Sequence, residues 1–396
     1  MNTVKLESKK VFVGMSGGVD SSVSALLLKN AKGEGGNFLY DVTGVFIKTW
    51  QPDYIECTWK EDRLDAMRVA AQLGIPFVTL DLEQEYKKFV IDYFLEEYKN
   101  NKTPNPDIMC NKYIKFGAFL DYAMSHGANF IVTGHYAKIE SYELFVAKDK
   151  NKDQSYFLYQ IKKENLNKIL FPLADMEKSE IRKIAEENNL WVADKKDSQG
   201  ICMLGGDVSV KDFLIRELDP EKGQIRNRSE EIIGEHNGVI LYTIGERHDF
   251  LINKKSEDKN ENNLPYFVIE KDLENNILIV SQNKLLNNNN NNNNNPENLE
   301  KITSKNKIFL EEVNILIDTE SEKELEIFDY AVLARSKYRG ELFSIKFNIR
   351  ENSFEILNIE KNKDNLDQDI NTICVSGQSL VMYDEGGKVL GGGVIV

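Results

Sequence analysis

The stretch Gly14-Met15-Ser16-Gly17-Gly18-Val19-Asp20-Ser21-Ser22 constrains the fold more than any other in the chain. An apolar run, Val11 to Val13, precedes it, and an apolar-striped segment begins near Ser21. The pattern predicts strand, glycine loop, helix. Glycines let backbone N–H groups close around phosphate oxygens, and a serine-rich helix start adds hydroxyl donors and the positive end of the helix dipole. The spacing is neither the Walker form nor GxGxxG; it is SGGxDS. An ordinary tight turn with a serine cap would use similar residues.

Alternation of strands and helices continues beyond the loop. Val42 to Ile47 and Pro76 to Leu82 are predicted strands. Leu64, Met67 and Ala71 form a helical stripe that Gly74 stops, and long helices are expected over Glu83 to Lys99 and Asn111 to Ser125. A fourth strand, Phe130 to Thr133, closes into Gly134-His135. Such alternation predicts an α/β fold with a doubly wound parallel sheet and ligand loops at strand C-terminal ends. Tyr156 to Ala193 is predicted helical, with a capping-like Lys178-Ser179-Glu180 run. A small middle domain follows, with a helix over Val210 to Leu218 and strands over Gln224 to Thr243. A β-rich third region, taken from Phe267 onward, predicts an antiparallel sheet or barrel. The expected division is 1–208, 209–270 and 271–396, with a disordered asparagine-rich insertion at 287–296.

The 396 residues carry 41% hydrophobic and 29% charged side chains, the range of a globular protein with a sizeable core. No apolar run reaches the roughly 18 residues of a membrane span, and Met1 to Lys10 has no apolar signal core. The net charge of −14 argues against a nucleic-acid partner until its distribution is considered. Glu311 to Asp329 holds eight acids against Lys323, whereas Lys99, Lys102, Lys112 and Lys115 surround a single acid, Asp107. That lysine group suits either a solvated helix face or RNA contact. The four cysteines, Cys57, Cys110, Cys202 and Cys374, have neither disulfide-framework nor zinc-ribbon spacing, which fits a reducing compartment.

Two cysteines sit in suggestive surroundings. Cys110 in Asn105-Pro106-Asp107-Ile108-Met109-Cys110-Asn111-Lys112 is expected near a helix N-terminus beside Lys112, features that favour a thiolate, with Asp107 three residues before it. An N-cap aspartate and a packed cysteine would also satisfy that pattern. Cys202 lies in a glycine-flanked loop, Lys195 to Gly205, and could react or simply pack.

The loop resembles the PP-loop of the ATP pyrophosphatases, which cleave ATP between its α and β phosphates. With NPDIMCNKYIKFG, VTGHYAK, KDQSYFL, KKDSQGICMLG and the glycine-rich ending Gly391-Gly392-Gly393, the chain resembles the tRNA-specific 2-thiouridylases, in order and over nearly its whole length. The resemblance implies ATP-dependent thiolation of the wobble uridine of tRNAs for Lys, Glu and Gln, in a bacterial cytoplasm or, as the asparagine tract suggests, a mitochondrion. It implies a nucleotide site of Gly14, Met15, Ser16, Gly17, Gly18, Val19, Asp20, Ser21, Ile47 and Gly134, with Asp20 holding Mg²⁺. Catalysis would fall to Asp107 as acid/base, Cys202 as carrier of a persulfide from an upstream donor protein, and Cys110 as partner thiol, with a transient Cys110–Cys202 disulfide. Contacts to the tRNA anticodon loop would come from Asn105, Pro106, Asp107, His135, Lys152, Asp153, Gln154, Lys337, Tyr338 and Gln378, on a monomer with no membrane attachment. Competing readings are a PP-loop ligase or amidotransferase using a nitrogen nucleophile, and a non-catalytic RNA-binding relative.

Overall fold

The computed structural model describes residues 8–55, 59–196, 208–247, 250–252, 265–282, 307–318, 320, 325–359 and 374–396. Strand β1 (Lys9–Gly14) buries Val11, Phe12 and Val13 almost completely, as a strand covered on both faces must. Around it the sheet is parallel, in the order β3 (Phe77–Asp81), β2 (Tyr40–Lys48), β1, β4 (Phe130–Val132), β7 (Ile169–Leu170), while β5 (Lys138–Glu140) and β6 (Glu143–Phe145) pair apart as an antiparallel hairpin. The order reverses between β1 and β4, so a crevice opens beyond the C-terminal ends of those two strands. The glycine loop leaves β1 at that crevice and feeds α1 (Val19–Asn30).

Helix α2 (Trp59–Leu73) forms where expected but presents a different face. Leu64 and Met67 are 39% and 37% exposed, and the buried side chains are Ala66, Val69 and Ala70. Close packing selects the small-residue face. The two long helices run over 83–99 and 106–125, each with a π-helical stretch, Lys87–Asp92 and Cys110–Ala118. Phe116, Leu120 and Ala123 are buried together as predicted.

Tyr156 to Ala193 departs from the helical expectation. Short 3₁₀ turns at Ser155–Leu158 and Lys163–Lys168 lead into edge strand β7, and the one α-helix there is Lys178–Glu187. Pro172 accounts for the break, since it has no N–H to donate and biases its predecessor towards extended backbone.

After the helix Val210–Leu218, a second sheet has the order β10 (Leu251–Ile252), β9 (Ile232–His236), β8 (Gly223–Arg226), β12 (Ile277–Ser281), β11 (Phe267–Asp272). The β11–β12 hairpin thus pairs with β8 and does not join the third region as expected, because the Ile277↔Gln224 pairing links residues far apart in sequence. The third region is a closed barrel, β13 (Ile308–Ile315), β16 (Ser353–Ile359), β15 (Phe343–Asn348), β14 (Val332–Arg335), β17 (Ser379–Tyr383) and β18 (Val389–Ile395). It docks on the first domain through buried polar contacts. Tyr156 Oη lies 3.0 Å from the Ser336 carbonyl and 2.8 Å from that of Ser379, and Asn314 Nδ2 donates to the Tyr159 carbonyl at 2.6 Å. A Cβ on Gly392 would stand 2.8 Å from the Tyr159 ring, so the glycine-rich ending is where the barrel lies flat against that tyrosine.

Candidate active site

The loop after β1 is divided between packing and display. Met15 and Val19 turn into the core, 1% and 4% exposed, and Gly17 has φ +77°. A Cβ on Gly17 would lie 2.3 Å from the Asp62 carbonyl of α2. Ser21 Oγ accepts from Ser16 N at 3.2 Å, and Ser22 Oγ donates to the Gly18 carbonyl at 2.8 Å, which fixes the loop on the helix start. Gly18 occupies the N-cap of α1, and no side chain caps it. The first-turn N–H groups therefore face the crevice with a helix dipole behind them, a set of donors that suits the phosphates of ATP. Ile47, half-buried near the end of β2, and Gly134, just past β4, border the same crevice. A Cβ on Gly134 would stand 2.7 Å from Ser21 N, so glycine is needed for the β4 loop to rest on the start of α1.

Asp20 has partners that sequence reasoning did not assign. Lys178 Nζ donates to both of its carboxylate oxygens, at 2.7 and 2.8 Å, and Tyr136 Oη donates to Oδ1 at 2.7 Å. The Lys178 side chain is 13% exposed. Lys178 opens the helix Lys178–Glu187, whose capping box joins Glu177 and Glu180. A cation at a helix N-terminus opposes the dipole, and that oddity was the available signal for a lysine held by something else. Among the described residues no group of three or more His, Cys, Asp or Glu side chains is arranged to hold a metal ion. Asp20, the expected Mg²⁺ ligand, is here the salt-bridge partner of Lys178.

The second half of the site lies on the helix at 106–125. Asn105 is its N-cap, its Oδ1 accepting from Asp107 N at 3.1 Å and Ile108 N at 3.3 Å, and Pro106 supplies the first helical residue. The cap is therefore Asn105, which leaves the Asp107 carboxyl available. Burial pushes that carboxyl above its ordinary range, and the Lys115 ammonium pulls it back in part. Cys110 is buried at 6% exposure and begins the π-helical stretch. Lys112, expected to favour its thiolate, instead reaches the barrel and pairs with Glu312 at 2.7 Å. Lys115, one π-helical turn beyond Cys110, is the cation on the inner side, with Nζ 3.4 Å from His135 Nε2. Cys202, and with it the Cys110–Cys202 disulfide, lies outside the described residues. Cys374 does not compete for the role, because burial pushes its thiol up to about 12.

Comparison with known proteins decides the family. The tRNA methyl transferase HUP domain family matches residues 9–206, and the tRNA methyl transferase PRC-barrel domain family matches residues 211–282. The chain is 42% identical over 362 residues to tRNA-specific 2-thiouridylase MnmA 1 of Geobacillus kaustophilus, covering 90% of this chain and 89% of that one. It is 40% identical over 393 residues to tRNA-specific 2-thiouridylase MnmA of Listeria innocua, covering 98% and 94%. The chain belongs to the tRNA-specific 2-thiouridylase family. Both of these 2-thiouridylases are bacterial and lend no support to the mitochondrial expectation. Among the described residues no helix is long and apolar enough to cross a membrane.

The residues that the 2-thiouridylase resemblance assigned to tRNA separate into two groups. Asp153, 4% exposed, accepts from Ala147 N at 3.0 Å and Ser155 Oγ at 2.9 Å, and Gln154 Oε1 accepts from Tyr136 N at 3.0 Å. Asp153 holds its own loop in shape, and Gln154 ties that loop to the segment after β4. His135 is 7% exposed, enclosed by Phe116 and Phe171. Lys152, half-buried, and Lys337, exposed, stand at the surface on two loops that Arg339 joins by donating to the Asn151 carbonyl. Tyr338 packs on Phe157 with ring centroids 4.5 Å apart. The loop of Gln378 meets the approach to Asn105, Thr103 N donating to the Ser376 carbonyl at 2.9 Å, and Gln378 Oε1 is buried without a partner among the described residues. The lysine group read as either a solvated face or an RNA contact has a third use. Lys102 pairs with Glu97 at 3.5 Å and Glu311 at 3.4 Å, and with Lys112–Glu312 this ties the helices at the site to the acidic strand of the barrel.

Proposed function

We propose that this chain is an ATP-dependent sulfurtransferase that converts the C2 oxygen of the wobble uridine to sulfur in tRNAs for Lys, Glu and Gln. One observation carries the reading. Two consecutive residues join the phosphate cradle to the thiol helix, Gly134 resting on the start of α1 and His135 reaching Lys115, one π-helical turn from Cys110. A PP-loop ligase using ammonia or an amino acid needs no cysteine there, and an RNA-binding relative without chemistry needs no uncapped glycine loop.

ATP, when bound, supplies the adenylyl group that makes the uracil O2 a leaving group. The N–H groups of Gly17, Gly18 and the first turn of α1 hold the phosphates, and Gly134 permits the close approach of the β4 loop. A wobble base suits the pocket because anticodon-loop bases can be splayed out of their stack. Asp107, held at the first turn by Asn105 and raised by burial, moves the proton of the target base. Cys202 carries the sulfur as a persulfide received from a donor protein. The Cys110 thiolate attacks the Cys202 sulfur, either after the outer sulfur has bonded to C2 or before, in which case sulfide is released beside C2. Both routes leave a Cys110–Cys202 disulfide and require an external thiol to reset it. Lys152, Lys337 and Tyr338 form the surface that meets the RNA backbone.

Mass spectrometry of wobble nucleosides from cells lacking the protein tests the proposal, with complementation by wild type, Cys110→Ser and Cys202→Ser. Loss of 2-thiouridine that wild type alone restores is expected. Intact 2-thiouridine in the deletion sinks the assignment, and full rescue by either serine variant sinks the sulfur route.

A further inference from the structure

The helix at 83–99 ends in a turn in which Lys102 N donates to the Glu97 carbonyl at 2.8 Å. The chain then runs through Thr103-Pro104-Asn105-Pro106 into the helix that carries Asp107 and Cys110. Two other parts of the molecule grip this strap at Thr103. Its Oγ1 lies 3.0 Å from Thr243 Oγ1, between β9 and β10, and its N donates to the Ser376 carbonyl, just before β17 of the barrel, at 2.9 Å. A Cβ on Gly377 would stand 2.5 Å from Thr103 N, so the barrel loop lies directly on the strap. Lys102, paired with Glu311 of β13, adds a second tie to the barrel.

Thr243 is presented from a fastened loop. Its N donates to Glu246 Oε2 at 2.9 Å, and Lys211 Nζ donates to Glu246 Oε1 at 2.6 Å. Gly245 N donates to the Val268 carbonyl of β11 and Val268 N to the Glu246 carbonyl, each at 2.8 Å. The strap itself has little freedom to absorb a shift. Pro104 and Pro106 fix their own φ, and each biases the residue before it, Thr103 and Asn105, towards extended backbone. Asn105 is extended, with φ −114° and ψ 102°. A displacement at Thr103 therefore reaches the Asn105 cap, and through Asn105 Oδ1 the first turn that carries Asp107.

We propose that Thr103 is a positioning residue: its hydroxyl, docked on Thr243, sets the strap and so aims the Asp107 carboxyl at the target base. This rests on the proposed thiolation, in which Asp107 moves a proton of that base. One neutral hydroxyl pair adds little to stability, whereas a small misplacement of a reacting group costs much in rate. The test compares wild type, Thr103→Val, Thr103→Ser, Thr243→Val and the double valine variant of the full chain. Single-turnover 2-thiouridine formation at saturating tRNA and ATP, tRNA affinity and melting temperature are measured for each. Thr103→Val and Thr243→Val keep the side-chain shape, remove one hydroxyl, and are expected to slow the reaction roughly ten- to hundredfold. Their tRNA affinity should stay within about twofold and their melting temperature within about 5 °C of wild type. Thr103→Ser keeps the hydroxyl and should restore the rate. The double variant should be no slower than the slower single variant, because the two hydroxyls make one contact. A folded Thr103→Val with the wild-type rate overturns the inference, as do losses that multiply in the double variant or a loss that Thr103→Ser shares in full. Should Thr103→Val fail to fold, Thr243→Val decides on the same measurements, and failure of both to fold assigns the pair to stability and overturns the inference. Wild type that forms no 2-thiouridine counts instead against the proposed function.

Discussion

Gly17 and Gly18 are neighbours in the loop, and the structure gives them different work. Gly17 has φ +77°, and a Cβ there would lie 2.3 Å from the carbonyl oxygen and 2.9 Å from the carbonyl carbon of Asp62. Gly18 has φ −97°, and its Cβ would meet only the rotatable Ser16 Oγ, at 3.4 Å. The start of α2 cannot easily yield to a new methyl group, because Lys195 grips Asp62 at 2.8 Å and Asp65 at 2.7 Å, and Trp191 Nε1 donates to Asp65 at 2.9 Å. For Gly17→Ala the left-handed backbone costs about 1–2 kcal/mol and the backbone overlap about 1–3 kcal/mol, together about 2–5 kcal/mol. In a domain of this size that lowers the melting temperature by roughly 4–20 °C. Gly18→Ala should cost less than about 1 kcal/mol, since the backbone is already in a region open to alanine. Its methyl group would nevertheless stand over the N–H groups that face the crevice. Scanning fluorimetry and ATP titration on both variants separate the two roles. Gly17→Ala should lose thermal stability and nucleotide affinity together, and Gly18→Ala should keep its melting temperature and lose affinity. A Gly17→Ala protein that melts like wild type refutes the steric argument, and a Gly18→Ala protein with wild-type ATP affinity refutes the phosphate cradle.

Lys178→Met removes the ammonium that donates to both Asp20 oxygens at the start of α1 and should lower the melting temperature by roughly 3–12 °C, from about 1.5–3 kcal/mol; an unchanged melting temperature would show that the pair contributes nothing to the fold. Asp107→Asn should abolish thiolation while retaining ATP binding. Its stability effect has a definite sign: the folded carboxyl lies above its ordinary 3.8, so its stabilising contribution is complete below that value and is lost as pH rises through the folded pKa. The asparagine variant should therefore out-melt wild type more clearly at about pH 7.5 than at about pH 4, and a pH-independent difference would contradict burial as the cause. Lys337→Ala should reduce the salt dependence of tRNA affinity, lowering the slope of log K against log salt by about 0.7–0.9; an unchanged slope removes Lys337 from the RNA surface.

Local chemistry made the first sheet and the glycine loop legible. Val11 to Val13, Val42 to Ile47 and Phe130 to Thr133 are apolar runs closed by turn residues, and the parallel order follows from helices between them. What failed depended on partners distant in sequence. The Leu64, Met67 stripe on α2 lost to Ala66, Val69 and Ala70 because periodicity identifies a face without saying how closely the neighbour packs. The β11–β12 hairpin alternates as well as any barrel strand, and only its pairing with β8 assigns it. At the site, Asp107 and Cys110 are together because both lie on one helix, which spacing can reveal. Lys178 and Tyr136 meet on Asp20 from far along the chain, and no local pattern marks them beyond a lysine misplaced at a helix N-terminus. Asp153 and Gln154 illustrate the converse, since polar residues in a surface-like segment turned out to bind backbone N–H groups.

The acidic net charge and an RNA substrate are reconciled by where the lysines point. Lys102 and Lys112 bind the barrel, Lys178 binds the loop carboxylate, Lys195 binds the start of α2, and Lys115 faces His135. Those cations organise the site from within and offer little to a phosphate backbone. Exposed cations stand at Lys150, Lys337 and Arg339, with half-buried Lys152, on two loops that the fold brings together although their contact joins residues 188 apart in sequence. Within a Debye length of about 8 Å at physiological salt, an RNA strand docked as proposed would sense this patch more than the −14 of the whole molecule. An acidic enzyme of this build should favour RNA shaped to reach that patch and the crevice together. The same arrangement gives the acidic Glu311 and Glu312 on β13 a use: Glu312 pairs with Lys112 on the helix that carries Cys110, and Glu311 with Lys102 just before that helix, which joins the barrel, and with it Lys337 and Tyr338, to the site.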